Sequence, residues 1–219
     1  MRIGRWFSNL FHRRAVSPPE PSSTTPRPTQ PPARSGSTTI PVDTFEPTAP
    51  MRVSIGKTTG YSPLEKQKLD RAMVKLAEVL NSREFKDAVL SHTYAGKPGF
   101  ASESRTPAEI YAVIRAGKEN FTSAADGEVD LNVALENFSW FQRNVVGYTT
   151  PSSDTVTTNR RFYAGFDESE IAGHLGHEWL HKVGFEHDFK ATARRPYSVP
   201  YALGDLIEEL ASKPSLTPL

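Results

Sequence analysis

Apolar and polar positions follow two rhythms along the chain. Leu69, Ala72, Met73, Leu76 and Leu80 recur at three- and four-residue steps, which gathers them on one face of a helix. Just ahead, Ser62-Pro63-Leu64-Glu65 has the form of a capping box with proline in the first turn, so the helix starts there. A second helical stretch is predicted from Phe85 to about Ser91. Thr106-Pro107-Ala108-Glu109 is another capping box, followed by Ile110, Val113 and Ile114 and a stop at Gly117. The rhythm then changes. Val129, Leu131, Val133 and Leu135 alternate with Asp130, Asn132 and Ala134, which predicts a half-buried strand. Val145–Thr149 and Thr155–Phe162 are predicted as further strands around the turn Pro151-Ser152-Ser153-Asp154. Asp167 and Glu170 open a helix predicted to run to about Val183, and a last helix is predicted over Leu206–Ala211, capped by Asp205 and Glu208. Helices, a small mixed sheet and further helices make the fold class α+β.

The first 60 residues lack this patterning. Residues 17–50 hold ten of the 18 prolines and 12 Ser/Thr, too little apolar surface to offset ordering entropy. The expectation is a disordered linker over residues 15–60 and a folded domain over 61–219. In residues 1–14, Ile3, Trp6, Phe7, Leu10 and Phe11 keep a helical spacing among Arg2, Arg5, Arg13 and Arg14. Such an arm can dock on a membrane surface or a partner protein; the plain alternative is a frayed terminus. It lacks the apolar core and cleavage site of a secretory signal, and no apolar run approaches the roughly 20 residues of a membrane span. This reads as cytoplasmic synthesis, and association with a phage or virion suits it by analogy. The net charge is +1, but residues 51–219 carry 20 basic and 22 acidic groups, so the basic excess belongs to the arm. No nucleic-acid partner is expected. There is no cysteine, which excludes disulfides, thiol nucleophiles and cysteine zinc sites.

Histidine placement carries the chemistry. Four of the six lie between positions 174 and 187. The segment His177-Glu178-Trp179-Leu180-His181-Lys182-Val183-Gly184-Phe185-Glu186-His187 fits H-E-x-x-H-x-x-G-x-x-H in full. Random placement of this chain's own residues produces that pattern about twice in 100,000 chains. On a helix, His177 and His181 lie one turn apart on one face, while Ile171, Ala172, Leu175, Trp179 and Val183 gather opposite. Gly184 can take a left-handed conformation, end the helix and let His187 return to the same metal. Three neutral imidazoles leave a fourth position open on one zinc ion, the catalytic pattern. Glu178, beside the first ligand, is then the general base for a zinc-activated water. The alternative is a closed zinc site that only stabilises the fold. His174, a turn before His177, is either a supporting or substrate contact or a plain polar residue at the cleft edge. Asp188 is expected to bond within the turn after His187. The strand from Thr155, through Thr157 and Asn159, is a candidate substrate edge, with Arg160 and Arg161 near its end.

The extended pattern resembles that of the metzincin clan of zinc endopeptidases, whose fold is zincin-like. Gly184-Phe185 is similar to the astacin-like group, and Asp188 after the third histidine to the adamalysin-like group. The resemblance covers about residues 167–201. It implies His177, His181 and His187 as zinc ligands, Glu178 as general base, and a strand before the active-site helix that binds substrate in extended form. Metzincins place a methionine turn beneath the zinc, yet this chain has no methionine after Met73. Ser198-Val199-Pro200-Tyr201 resembles the family's Ser-x-Met segment with Pro200 at the methionine position, where proline can hold a tight turn. In related groups a tyrosine just after this turn binds zinc or steadies the tetrahedral intermediate, which makes Tyr201 the candidate and Tyr197 a weaker one.

These readings converge on a monomeric zinc-dependent endopeptidase acting on a peptide or protein, cell-wall peptide crosslinks included. Two other roles compete. One is a non-catalytic, zinc-stabilised module for virion or host interaction. The other makes residues 1–60 an inhibitory pro-segment, for which Asp43 is a weak carboxylate latch.

Overall fold

The computed structural model describes residues 49–92, 105–122, 124–150 and 153–219. Along the chain these form β1 (Arg52–Thr59), α1 (Pro63–Leu80), α2 (Arg83–Ser91), α3 (Pro107–Ala116), β2 (Glu128–Glu136), β3 (Gly147–Thr149), β4 (Thr155–Asn159), α4 (Arg160–Tyr163), α5 (Glu168–Lys182) and α6 (Val199–Ala211). The fold is α+β. Three reciprocal capping boxes start α1, α3 and α5: Ser62 with Glu65, Thr106 with Glu109, and Asp167 with Glu170. Each pair satisfies backbone donors that the first helical turn otherwise leaves without partners. Gly117 ends α3 in the left-handed region, φ 59°.

The sheet has the order β1-β2-β4-β3. The first three strands in that order run parallel, and β3 pairs antiparallel with β4. The alternation in β2 is real: Val129, Leu131, Val133 and Leu135 are buried, while the opposite face is polar. On that polar face Ser54 bonds Asp130, and Asn132 bonds Asp154 at 2.5 Å. Helices α1, α5 and α6 pack against one another and fill the core with Leu69, Leu76, Ile171, Leu175, Leu203 and Ile207. The α5–α6 contact is the closest. A Cβ on Gly173 would lie 2.8 Å from the Glu208 Cβ and 2.9 Å from the Gly204 carbonyl oxygen, so only glycine lets these helices meet. Among the described residues, no helix is long and apolar enough to cross a membrane.

Four expectations need correction. Residues 52–59 belong to the fold rather than to a linker, because β1 pairs in register with β2 from Arg52↔Glu128 to Thr59↔Ala134. The arm at 1–14, Asp43 and the linker up to residue 48 lie outside the described residues. Strand β4 stops at Asn159, whose side chain accepts the Arg161 N–H and caps the short α4, so Arg160–Phe162 are helical. Helix α6 begins at Val199 after Ser198, which leaves Asp205 and Glu208 in its interior rather than at its cap. Strand β3 is also shorter than predicted, and starts at Gly147.

Candidate metal centre

Helix α5 carries His177, Glu178 and His181, and its end determines where the chain goes next. Phe185 N–H donates to the Leu180 carbonyl at 3.0 Å, and Gly184 N–H to the His181 carbonyl at 3.2 Å. This is a Schellman closure, and it requires the left-handed Gly184, φ 94°. Phe185 buries fully against the core. The same turn brings the Phe185 carbonyl to 2.8 Å from His181 Nδ1, and it directs the chain to His187. His187 Nδ1 lies 3.0 Å from the Asp188 carbonyl. A carbonyl only accepts, so both Nδ1 atoms carry the proton and each Nε2 keeps its lone pair.

The three rings converge. Their centroids stand 5.1 Å (His177–His181), 5.2 Å (His177–His187) and 4.8 Å (His181–His187) apart. His177 Nε2 and His187 Nε2 are 3.2 Å apart. One candidate ligand atom from each of the three residues lies within 4.8 Å of the others. Burial depresses all three: His177 falls well below the ordinary imidazole value, His181 falls below it, and His187 drops to about 4. Neighbouring imidazoles add to the depression of His177 and His187, and the Pro200 backbone pulls His177 weakly the other way. Neutral imidazole is the form that binds metal. His177, His181 and His187 can therefore hold a metal ion.

Around this cluster the other candidates separate. Glu178 is buried, and burial pushes its carboxyl up to about 7 against the opposing charge of Lys182. His174 is not at a cleft edge. It is 2% exposed, its Nε2 lies 3.0 Å from Thr158 Oγ1 of β4, and its Nδ1 lies 3.9 Å from Glu178 Oε1. Its place is between the sheet and Glu178, because positions 174 and 178 share a helix face. Asp188 accepts Arg194 Nε at 2.7 Å and Nη2 at 2.6 Å, and also the Thr192 hydroxyl, so it ties the loop after His187. Those bonds hold its carboxyl down at about 2.

The N-terminal end of α6 forms the other wall. Pro200 lies in its first turn, where a missing N–H costs nothing, rather than in a separate tight turn. Tyr201 follows, 6% exposed, with its ring centroid 4.8 Å from that of His177 and 4.7 Å from that of His187. One turn on, Gly204 faces His177, whose Cβ would be 3.0 Å from any added Cβ. Tyr197 instead points to the surface, 44% exposed.

Thr155, Thr157 and Asn159 do not form an edge. Each pairs with β2, opposite Asn132, Ala134 and Glu136, and Thr157 also faces Tyr148 of β3. Among the described residues, the edge strand on this side of the sheet is β3. Arg160 bonds Glu65 and the Gly60 carbonyl, and Arg161 bonds the Arg143 carbonyl at 3.3 Å, so both arginines brace turns.

Sequence reasoning missed two residues here. Lys182 is fully buried, and its ammonium donates to Thr149 Oγ1, to the Ser153 carbonyl and, at 3.3 Å, to the Thr155 carbonyl. It ties the β3–β4 turn to α5. Its signal was a charge placed three residues after Trp179 and seven after Leu175, within the apolar stripe. Arg195 donates to the Tyr201 hydroxyl. No signal marks it, because Arg194-Arg195 reads as a solvated pair. No protein-family model matches the chain, and no curated protein matches it.

Proposed function

We propose that the protein is a zinc-dependent endopeptidase of the metzincin type. The carrying observation is the convergence of His177, His181 and His187 beside a buried Glu178. Two nitrogens sharing a zinc ion at about 2.0–2.1 Å in tetrahedral geometry stand about 3.3 Å apart. His177 and His187 are at 3.2 Å, which supports that ion. Imidazole donors suit zinc, and this chain has no cysteine thiolate to compete with them. When bound, zinc supplies a Lewis acid that makes water nucleophilic near neutral pH and polarises a carbonyl.

The chain's own groups do the rest. Glu178 takes the proton of the attacking water and returns it to the leaving amine. Its carboxylate is buried beside the histidines, where it can serve both transfers. The Tyr201 hydroxyl donates to the oxygen that becomes negative as the carbonyl carbon turns tetrahedral. The outer side of β3 offers an extended peptide main-chain partners beside α5. His174 and Thr158 support Glu178 from behind. A peptide library incubated with the zinc-loaded chain tests the proposal. Cleavage at interior bonds that stops on chelation is expected. An uncut library from protein carrying one zinc per chain would favour a zinc-stabilised binding module instead.

A further inference from the structure

The surroundings of Tyr201 hold a cation that the hydrolysis above does not use. Arg195 is 8% exposed and opens a 3-10 turn (Arg195–Tyr197) leading into α6. Its backbone is fixed there, since its carbonyl accepts the Ser198 hydroxyl at 2.7 Å and the Ser198 N–H at 3.1 Å. Its guanidinium carbon stands 4.5 Å from the centroid of the Tyr201 ring, and its Nη2 donates to the Tyr201 hydroxyl oxygen. Tyr201 in turn meets His177 and His187 edge-on. Neighbouring Arg194 is bonded to Asp188 instead. Burying a guanidinium is costly unless it is hydrogen-bonded, and the Tyr201 phenol is one of the groups that meets this one.

The chemistry of that bond fixes where the phenol proton goes. A guanidinium only donates, while a phenol has one proton and acceptor lone pairs. Arg195 therefore occupies a lone pair of Tyr201 and leaves its proton to another acceptor. A phenol that already accepts one bond donates a stronger one. We infer that Arg195 is the positioning residue of the metal centre: it holds the Tyr201 phenol against His177 and His187 and commits its proton to the substrate oxygen. The substrate oxygen rests on the endopeptidase reading; the Arg195–Tyr201 pairing does not need turnover.

The test compares the zinc-loaded full chain with Arg195→Met, Arg195→Lys, Tyr201→Phe and the Arg195→Met/Tyr201→Phe double variant on one cleaved peptide. Arg195→Met should lower kcat about 10- to 100-fold, and Tyr201→Phe at least as much. KM should stay within about threefold, zinc content should not change, and lysine should recover part of the loss. The double variant should be no slower than Tyr201→Phe alone, because one residue acts through the other. Losses that multiply, or an unchanged kcat in Arg195→Met, overturn the inference. A second readout needs no cleavage: the 13C resonance of the Tyr201 Cζ in the zinc-free chain, identified by its absence in Tyr201→Phe. It should move in Arg195→Met and return toward its original position in Arg195→Lys. A resonance indifferent to Arg195 overturns the pairing. A moving resonance in a chain that cuts no peptide supports the pairing and counts against the endopeptidase reading.

Discussion

At the scale of the residue, the proposed hydrolysis gives two residues of α5 separable jobs. There His181 would bind the ion and Glu178 would move the proton, so their substitution should fail in different ways. His181→Ala should reduce bound zinc from one per chain to nearly none by elemental analysis, since two imidazoles remain. Glu178→Gln keeps the shape and the ligands but has no basic oxygen to accept a proton. It should keep full zinc content while losing about 10²–10⁴-fold in kcat. Asp205 supplies a different kind of test. Burial, helped by nearby Glu208, raises its carboxyl to about 7. Between about pH 4 and 7 the unfolded chain ionises this group while the folded chain still holds its proton, so stability falls as pH rises. Asp205→Asn removes that dependence. Its gain in melting temperature should be larger at pH 8 than at pH 4, and an equal gain at both would contradict the assignment.

At the scale of the element, local chemistry was readable and edges were not. Ser62, Thr106 and Asp167 with their glutamates announced three helix starts to the residue, because capping is decided within four positions. Gly184 announced the turn that delivers His187 for the same reason. Strand identity is different. Whether β4 or β3 lies at the edge depends on which segment returns beside it, and nothing in Thr155–Asn159 encodes Tyr148 as a neighbour. Arg195 was invisible because its partner Tyr201 is chosen by the approach of α6 to the histidines. The α5–α6 contact gives a sign test. In an open helix, Gly→Ala stabilises by about 0.8–1.0 kcal/mol. Gly173→Ala should instead destabilise by roughly 1–3 kcal/mol in urea unfolding, because its Cβ meets backbone oxygen and a packed side chain.

At the scale of the whole molecule, the candidate metal centre lies on a scaffold with an apolar core. Leu69, Leu76, Ile171 and Ile207 are buried in one cluster of apolar side chains. The zinc-free chain should therefore keep its helical circular dichroism at 25 °C, whereas a zinc-stabilised module would melt on chelation. The amino-terminal boundary of the fold is also testable. A chain starting at Tyr61 lacks β1 and leaves one side of β2 unpaired, so it should melt below a chain starting at Ala49. If the three histidines and Glu178 form a peptide-cleaving zinc site, zinc content and peptide cleavage should separate when both are measured side by side in the original chain and in Glu178→Gln. One zinc per chain in both, with cleavage confined to the original, is the predicted result. Equal cleavage by the two, or no zinc in either, would contradict the account.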